Sequence, residues 1–148
     1  MVFGRKKRKL NRVLVVEDEP LIAFDTEYTL ESEGFEVVAT VDTVAEALAA
    51  LQAHEIDLAL LDINLSDGNG VEVARAAAAA GVCVIFATGA CPGDADGVAH
   101  GCLAKPYGGR EIAGAVAVLE RLIAGRKAGR LPQGFTLFER AHAMGAAG

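Results

Sequence analysis

The sequence predicts an α/β fold in which short parallel strands alternate with helices. Five apolar runs of strand length recur along the chain, and most of the segments between them have helical spacing of apolar residues. Strands that are apolar along their whole length are typical of a sheet covered on both faces. We therefore expect one doubly wound parallel sheet with right-handed crossovers and helices on both sides.

Length and composition limit the alternatives. A chain of 148 residues, 52% of them hydrophobic, is expected to form one domain with ample core material. No apolar stretch is long enough to span a membrane and no signal-peptide core follows the basic amino terminus, which favours a cytoplasmic protein. Cys83, Cys91 and Cys102 are odd in number and lack metal-type spacing, so reduced thiols are expected.

The charge is distributed unevenly along the chain. Residues 13–124 carry 19 acidic and 4 basic side chains, whereas the two ends together carry 10 basic side chains and one acidic one, Glu139. An acidic central region argues against nucleic acid as a partner. The basic ends favour either binding to an acidic partner or folding back onto the acidic central region. These shifts predict a solvated basic arm over 1–11, a domain over 12–124, and a linker with an apolar tail over 125–148.

Local signals place the elements. Pro20 suits the first turn of a helix, and Leu21, Phe24 and Tyr28 give that helix one apolar face. Thr43 and Glu46 form a capping-box pattern at the start of the next helix. The predicted strands cover 12–17, 35–41, 56–61, 82–87 and 102–104, and the predicted helices begin near 20, 44 and 71 and end near 34, 54 and 80, with a last helix ending near 125.

Two segments depart from this alternation. Only residues 89–101 separate the fourth and fifth strands, and four glycines with Pro92 disfavour a helix there. A fourth helix is therefore expected to be absent or shortened to a turn or two over 94–99.

At the carboxyl terminus, Phe135, Leu137 and Phe138 favour a tail that is at least partly docked, because exposure of large apolar side chains is unfavourable.

Polar side chains stand where the apolar strands end. Glu17 and Asp18 follow the first strand, Asp62 the third, Thr88 the fourth and Lys105 the fifth. In a sheet of order 2-1-3-4-5, the first and third strands flank the point where the winding reverses, so their carboxylates converge there. Carboxylate oxygens are ligands that Mg²⁺ prefers, with Mn²⁺ as the alternative.

The motifs VVED, LLD, AT and KP, in this order and spacing, resemble the receiver domain of response regulators, whose CheY-like fold is flavodoxin-like. The resemblance covers about residues 11–124. It implies that Asp62 accepts a phosphoryl group from a sensor histidine kinase or a histidine phosphotransferase. It also implies that Thr88 and Lys105 contact phosphoryl oxygens, and that Pro106 follows a cis peptide bond.

The same resemblance supplies a metal site. Glu17, Asp18 and Asp62 would bind Mg²⁺ through carboxylates, and Asn64 would add its backbone carbonyl. The protein would then be a phosphoacceptor in signal transduction, with only Mg²⁺-dependent self-phosphorylation and dephosphorylation, and not an enzyme acting on a separate substrate.

The chain also departs from the common receiver pattern. Glu17 stands where many receivers carry Asp, and Cys102 stands three residues before Lys105, at the position of the usual aromatic switch residue. Residues 85–89, Ile-Phe-Ala-Thr-Gly, resemble the FATGUY subgroup of single-domain receivers, although Cys91 and Pro92 replace its later aromatic residue.

No output domain is recognisable in residues 125–148. The expectation is a stand-alone receiver, a monomer or weak homodimer, that signals to an unidentified protein or serves as a phosphate sink. The alternatives are a phosphorylation-independent interaction module and an arm of a nucleic-acid binder that uses the basic ends. A hydrolase of the haloacid-dehalogenase type is set aside, because Asn64 stands where a second Asp is needed.

Overall fold

The computed structural model describes residues 8–91 and 97–144. The helices and strands in these ranges follow one another along the chain as β1 (Arg12–Val16), α1 (Pro20–Ser32), β2 (Glu36–Val41), α2 (Val44–Ala53), β3 (Leu58–Leu61), β4 (Asn64–Leu65), β5 (Gly68–Asn69), α3 (Gly70–Ala79), β6 (Cys83–Thr88), β7 (Gly101–Ala104), α4 (Gly109–Ile123), β8 (Phe135–Leu137) and α5 (Glu139–His142). No helix within these ranges is long and apolar enough to cross a membrane.

The main sheet has the order β2-β1-β3-β6-β7-β8. Its first five strands pair in parallel, so the predicted order 2-1-3-4-5 and the flavodoxin-like fold class are confirmed. The sixth strand, β8, comes from the carboxyl-terminal tail and pairs antiparallel with β7. A separate hairpin of β4 and β5 lies directly after Asp62.

Alternate residues of the strands build two cores, one on each face of the sheet. On one face, Val13 and Val15 of β1 pack with apolar side chains of α1 and α4. On the other face, Leu14 and Val16 pack with side chains of α2 and α3. The strand residues of both cores are almost fully buried. This two-sided burial explains why β1, β3 and β6 are apolar throughout.

The apolar face predicted for the first helix does not face the core. Leu21, Phe24 and Tyr28 are 85%, 74% and 66% exposed, whereas Ala23, Thr26 and Leu30 of α1 are buried. Helical periodicity identifies both stripes but cannot tell which of them meets the sheet. The smaller side chains of Ala23 and Thr26 allow close approach of α1 to the sheet, and Leu30 fills the space near its end.

The segment between β6 and β7 agrees with the prediction of a missing or shortened helix. Residues 89–91 and 97–100 contain no α-helix. Part of the turn that was expected over 94–99 lies outside the described residues.

The carboxyl-terminal tail is docked, as predicted, although its strand was not anticipated. β8 pairs with β7 through Leu103↔Phe135, Cys102↔Thr136 and Gly101↔Leu137. The Phe138 N–H donates to the His100 carbonyl at 3.0 Å. Phe135, Phe138 and Ala141 are buried. The tail therefore extends the sheet and adds side chains to both cores.

The described part of the basic arm, from Arg8 onward, contacts the rest of the protein. The Arg8 guanidinium donates to the Glu33 carbonyl at 2.7 Å and lies 4.0 Å from the ring centroid of Phe35. The Leu10 side chain is buried, and its backbone N–H donates to Glu120 at 3.1 Å. These contacts hold the last part of the arm beside the end of α1. Residues 1–7 lie outside the described ranges.

The prediction of reduced thiols is wrong for two of the three cysteines in this structure. Cys91 and Cys102 form a disulfide, with Cα atoms 5.9 Å apart, while Cys83 is free and buried. The sequence separation of 11 residues gave no sign of this contact. Cys102 is level with Phe86 inside the sheet, so the chain after β6 turns back and brings Cys91 against β7.

Candidate functional site

The register of the sheet brings the predicted residues to one edge. Val16 pairs with Leu61, and Leu61 pairs with Phe86, so β1, β3 and β6 end at similar heights. The Asp62 N–H donates to the Val16 carbonyl at 2.9 Å, which places Asp62 beside Glu17. The convergence expected at the carboxyl ends of β1 and β3 is therefore present in the structure.

Three carboxylates form a cluster at this edge. Glu17, Asp18 and Asp62 each offer an oxygen, and these oxygens all lie within 4.8 Å of one another. Glu17 is 5% exposed, and the side chain of Asp62 is 12% exposed. Ligands around Mg²⁺ lie about 2.0–2.1 Å from the ion in an octahedron, so this donor set fits the ion with small side-chain adjustments.

Lys105 neutralises much of this negative charge. Its ammonium donates to Glu17 Oε1 and lies 3.4 Å from Asp62 Oδ2. Burial raises the pKa of Glu17, although the lysine opposes that effect. Burial would lower the pKa of Lys105, but the hydrogen bond and charge of Glu17 and the charge of Asp62 raise it above its ordinary value. The lysine therefore keeps its proton at neutral pH.

Backbone contacts fix Lys105 against the strand that carries Thr88. Thr88 pairs with Ala104 across β6 and β7, and the Lys105 N–H donates to the Thr88 carbonyl at 2.8 Å. Thr88 is 8% exposed. The peptide bond between Lys105 and Pro106 is cis, as the resemblance to receivers implied.

The loop after Asp62 is packed tightly against the site. The Asn64 N–H donates to Asp62 Oδ1 at 3.2 Å. Gly70 lies against the Asp62 backbone: a Cβ at this position would meet the Asp62 carbonyl at 2.2 Å. Any larger residue at position 70 would displace Asp62 or its strand.

Asp67 is a second residue that the sequence reasoning missed. Its carboxylate accepts hydrogen bonds from the N–H groups of Val44 at 2.7 Å and Ala45 at 3.2 Å, and the bond from Val44 lowers its pKa. Asp67 thus connects the loop after Asp62 to the start of α2. The available signal was an Asp in a turn-forming cluster, which favours backbone hydrogen bonds without naming the partner.

A cleft of about 270 Å³ lies next to the acidic cluster. It separates α1 from the segment that follows β7, and both Leu21 and Lys105 line it. The Thr26 and Tyr107 hydroxyls, 3.2 Å apart, connect its two walls. Of the three exposed apolar residues of α1, Leu21 therefore lies at the cleft that Lys105 also lines.

Comparison with curated proteins gives partial matches. The transcriptional regulatory protein LytR of Staphylococcus aureus is 40% identical over 63 residues, which are 42% of this chain and 26% of LytR. The sensory transduction protein LytT of Bacillus anthracis is 42% identical over 65 residues, 43% of this chain and 26% of LytT. The chain thus matches about a quarter of the length of these relatives.

Solved structures match over more of the chain. A CheY-like response regulator receiver domain protein from Methanospirillum hungatei has a TM-score of 0.65 and 30% identity, with 74% of this chain and 92% of that chain covered. The BeF3-activated conformation of SdrG from Pseudomonas melonis has a TM-score of 0.61 and 42% identity, with 73% and 94% covered.

A family profile agrees with the fold and with the residues at the sheet edge. The profile of the response regulator receiver domain matches residues 13–117, which run from the second residue of β1 into α4 and include every predicted site residue. Receiver domains act in two-component signalling, bind Mg²⁺ at an acidic pocket and receive their phosphoryl group from a kinase or phosphotransferase. This chain belongs to the response regulator receiver domain family.

Proposed function

We propose that this protein is a single-domain response regulator that accepts a phosphoryl group on Asp62 from a histidine kinase or a histidine phosphotransferase in the cytoplasm. Its output would be contact with a target protein or removal of phosphate from the pathway. The observation that carries the proposal is the position of Asp62. It shares an acidic cluster with Glu17 and Asp18 and faces the ammonium of Lys105.

The proposed roles follow from charge and position. Bound by Glu17, Asp18, Asp62 and the backbone carbonyl of Asn64, Mg²⁺ or Mn²⁺ would offset the charge of the incoming phosphoryl group. An Asp62 oxygen attacks phosphorus as the bond from phosphorus to the donor histidine nitrogen breaks, which yields an aspartyl phosphate.

Two further residues would recognise the phosphoryl oxygens of that product. Lys105 already lies beside Asp62 and supplies positive charge. Thr88 ends the neighbouring strand and supplies a hydroxyl donor. The catalytic set is therefore Asp62, Thr88 and Lys105.

The longer side chain of Glu17 affects this site. Its carboxylate reaches the Lys105 ammonium, so one side chain contributes both to the acidic cluster and to the ion pair. We expect phosphorylation to shift Lys105 from Glu17 toward a phosphoryl oxygen, because the doubly negative product attracts the ammonium more strongly.

The exposed face of α1 gives the donor a place to dock. Leu21, Phe24 and Tyr28 are exposed along one side of α1, and Leu21 reaches the cleft that Lys105 lines. Exposed apolar patches mark protein interaction sites. We propose that the phosphodonor contacts this side of α1 while its histidine approaches Asp62.

Acetyl phosphate labelling in the presence of Mg²⁺ tests the proposal. We expect one phosphoryl group per chain on Asp62, none in Asp62→Asn, and ordinary labelling in the control Asp42→Asn, which changes an exposed carboxylate after β2. Labelling that persists in Asp62→Asn would place the phosphoacceptor elsewhere. Failure of all three proteins to label would favour the phosphorylation-independent interaction module.

A further inference from the structure

The Cys91–Cys102 disulfide joins the two chain segments that would respond to the phosphoryl group. Cys91 lies three residues after Thr88, and Cys102 lies three residues before Lys105. Thr88 and Lys105 are themselves joined by a backbone hydrogen bond of 2.8 Å. The disulfide therefore adds a covalent connection close to the edge of the sheet where Asp62 is located.

The disulfide also lies on the Thr88 face of the sheet. Cys102 pairs with Phe86 and packs with it in the core under α2 and α3. Alternation along β6 puts Thr88 on the same face as Phe86. Cys91 packs against this core as well. Any displacement of Thr88 that carries the following residues with it must move the backbone that the disulfide holds.

The segment between Thr88 and Cys91 has room to move. Gly89 and Ala90 are exposed, and a Cβ at Gly89 would meet nothing within 4 Å among the described residues. The disulfide holds the far end of this short segment to β7. When the disulfide is reduced, only non-covalent packing holds residue 91 against the core.

We propose that Cys91 and Cys102 are a redox modification site that controls the response of this receiver to phosphorylation. In the disulfide form, residues 89–91 stay attached to β7, and Thr88 is held back from the phosphoryl group. In the dithiol form, residues 89–91 move with Thr88 toward the phosphoryl group. This inference rests on the proposed phosphorylation of Asp62.

Thiol–disulfide exchange with a low-molecular-weight disulfide of the glutathione type balances the chemistry. The Cys91 thiolate attacks one sulfur of that disulfide, forming a mixed disulfide and releasing one thiol. The Cys102 thiolate then attacks Cys91 Sγ and releases the second thiol. The two cysteines lose two electrons, which the low-molecular-weight disulfide gains, and the two cysteine protons end on the released thiols.

The three cysteines differ in their suitability for this exchange. Cys91 is partly exposed, and Cys102, although buried, lies within bonding distance of it. Cys83 is buried in the opposite core, and burial raises the pKa of its thiol to about 11, so it has little thiolate at neutral pH. Cys83 therefore provides a matched control inside the same chain.

The first test addresses formation of the disulfide. The full-length protein is reduced, incubated with oxidised glutathione and mapped by non-reducing peptide mass spectrometry. We expect a Cys91–Cys102 linkage in the wild type and in Cys83→Ala, and a mixed disulfide or free thiols in Cys91→Ala. Absence of the linkage in both the wild type and Cys83→Ala would overturn the inference, whatever the result of acetyl phosphate labelling.

The second test addresses the coupling. Beryllofluoride is added with Mg²⁺ to the oxidised and reduced wild type, and residue-resolved hydrogen exchange is measured at residues 88–91 by NMR. We expect beryllofluoride to change exchange there only in the reduced protein. We also expect beryllofluoride to bind the oxidised form at least about fivefold more weakly, the lower end of usual allosteric coupling.

The outcomes separate the two proposals. Binding of beryllofluoride in both redox states, with equal affinity and equal exchange changes, would overturn the redox inference and leave the proposed function standing. Failure to bind in either state would overturn both. Because the coupling is reciprocal, beryllofluoride should also make the Cys91–Cys102 pair easier to reduce, with no such effect in Asp62→Asn.

Discussion

Lys105 is the residue on which the electrostatics of the site depend. Glu17 is almost fully buried, and Lys105 is its charged partner in the structure. Removing one member of a buried pair leaves an uncompensated charge, which is more destabilising than removing both. The lysine therefore acts on folding stability as well as on the phosphoryl group.

Lys105→Ala should lower the free energy of unfolding by about 1–3 kcal/mol, because Glu17 is left buried without its partner. The double variant Glu17→Gln/Lys105→Ala should recover much of this loss. Urea denaturation of the wild type, both single variants and the double variant measures the coupling. Equal stability of Lys105→Ala and the double variant would contradict the ion-pair interpretation.

His100 predicts a pH dependence of stability. The residue is buried and its Nδ1 accepts a hydrogen bond from the Val84 N–H at 3.0 Å; burial, with the charge of Arg140, lowers its pKa from 6.5 to about 4. Between these values the unfolded chain binds a proton that the folded protein does not. The free energy of unfolding should therefore fall as the pH falls from about 6.5 to about 4, by up to about 3 kcal/mol.

Urea denaturation across this pH range, compared with His100→Asn, isolates the His100 contribution. The Asn side-chain oxygen can accept the Val84 hydrogen bond and does not titrate. The difference between the two proteins should shrink or reverse as the pH falls. A difference that is constant over the whole range would show that His100 is not responsible.

At the scale of elements, the exposed stripe of α1 predicts a selective defect. Phe24→Ser removes a large side chain that is 74% exposed, so folding should be little affected. Transfer from a phosphorylated histidine phosphotransferase should slow by about fivefold or more, the usual effect of losing an interface anchor. Labelling by acetyl phosphate should be unchanged, because that donor needs no helical contact.

Leu131→Ser is the matched control for the α1 stripe. Leu131 is another exposed apolar residue, 39% exposed, and lies in the segment between α4 and β8. The Leu131→Ser variant should slow neither transfer from the histidine phosphotransferase nor labelling by acetyl phosphate. If Leu131→Ser and Phe24→Ser slow the transfer equally, α1 has no particular role in donor docking.

The strand ends were predictable because each apolar run stops abruptly at a polar residue. That pattern predicts Asp62, Thr88 and Lys105 at one edge of the sheet. The orientation of α1 was not predictable, since two stripes of that helix are apolar and only the sheet decides between them. The Cys91–Cys102 contact and the Asp67 cap of α2 depend on how distant segments meet, which local sequence does not encode.

The tail strand could be recognised as docked but not as a strand. Its signal was the apolar character of Phe135 and Phe138, while its pairing depends on Gly101 in β7. A Cβ at position 101 would lie 2.6 Å from the Phe135 ring and 2.8 Å from the Thr136 carbonyl. The second contact is with backbone, so it cannot be relieved by a side-chain rotation.

Gly101→Ala should therefore loosen β8 and lower the free energy of unfolding by about 1–3 kcal/mol, the usual effect of overpacking. Gly89→Ala is the control, because a Cβ there meets nothing within 4 Å among the described residues and should change stability by less than about 0.5 kcal/mol. Thermal denaturation and amide protection of residues 135–137 measure the effect. Full protection of these amides in Gly101→Ala would contradict the packing argument.

At the scale of the whole molecule, stability should depend on Mg²⁺. A ligand that binds only the folded chain at ten times its dissociation constant adds about 1.4 kcal/mol to the free energy of unfolding. We expect an increase of this size in the wild type and a much smaller one in Asp18→Asn, measured by thermal denaturation with and without Mg²⁺. Equal increases in both proteins would place the ion outside the acidic cluster.

The short strand β8 also has a consequence for how copies of this protein behave toward one another. Without it, β7 would present an unpaired row of backbone donors and acceptors along an apolar strand, a ready template for another chain. β8 is only three residues long and is followed directly by α5. The edge strand on this side of the sheet therefore offers little backbone for pairing with another chain. The tail therefore protects the chain from aggregation through strand addition at β7.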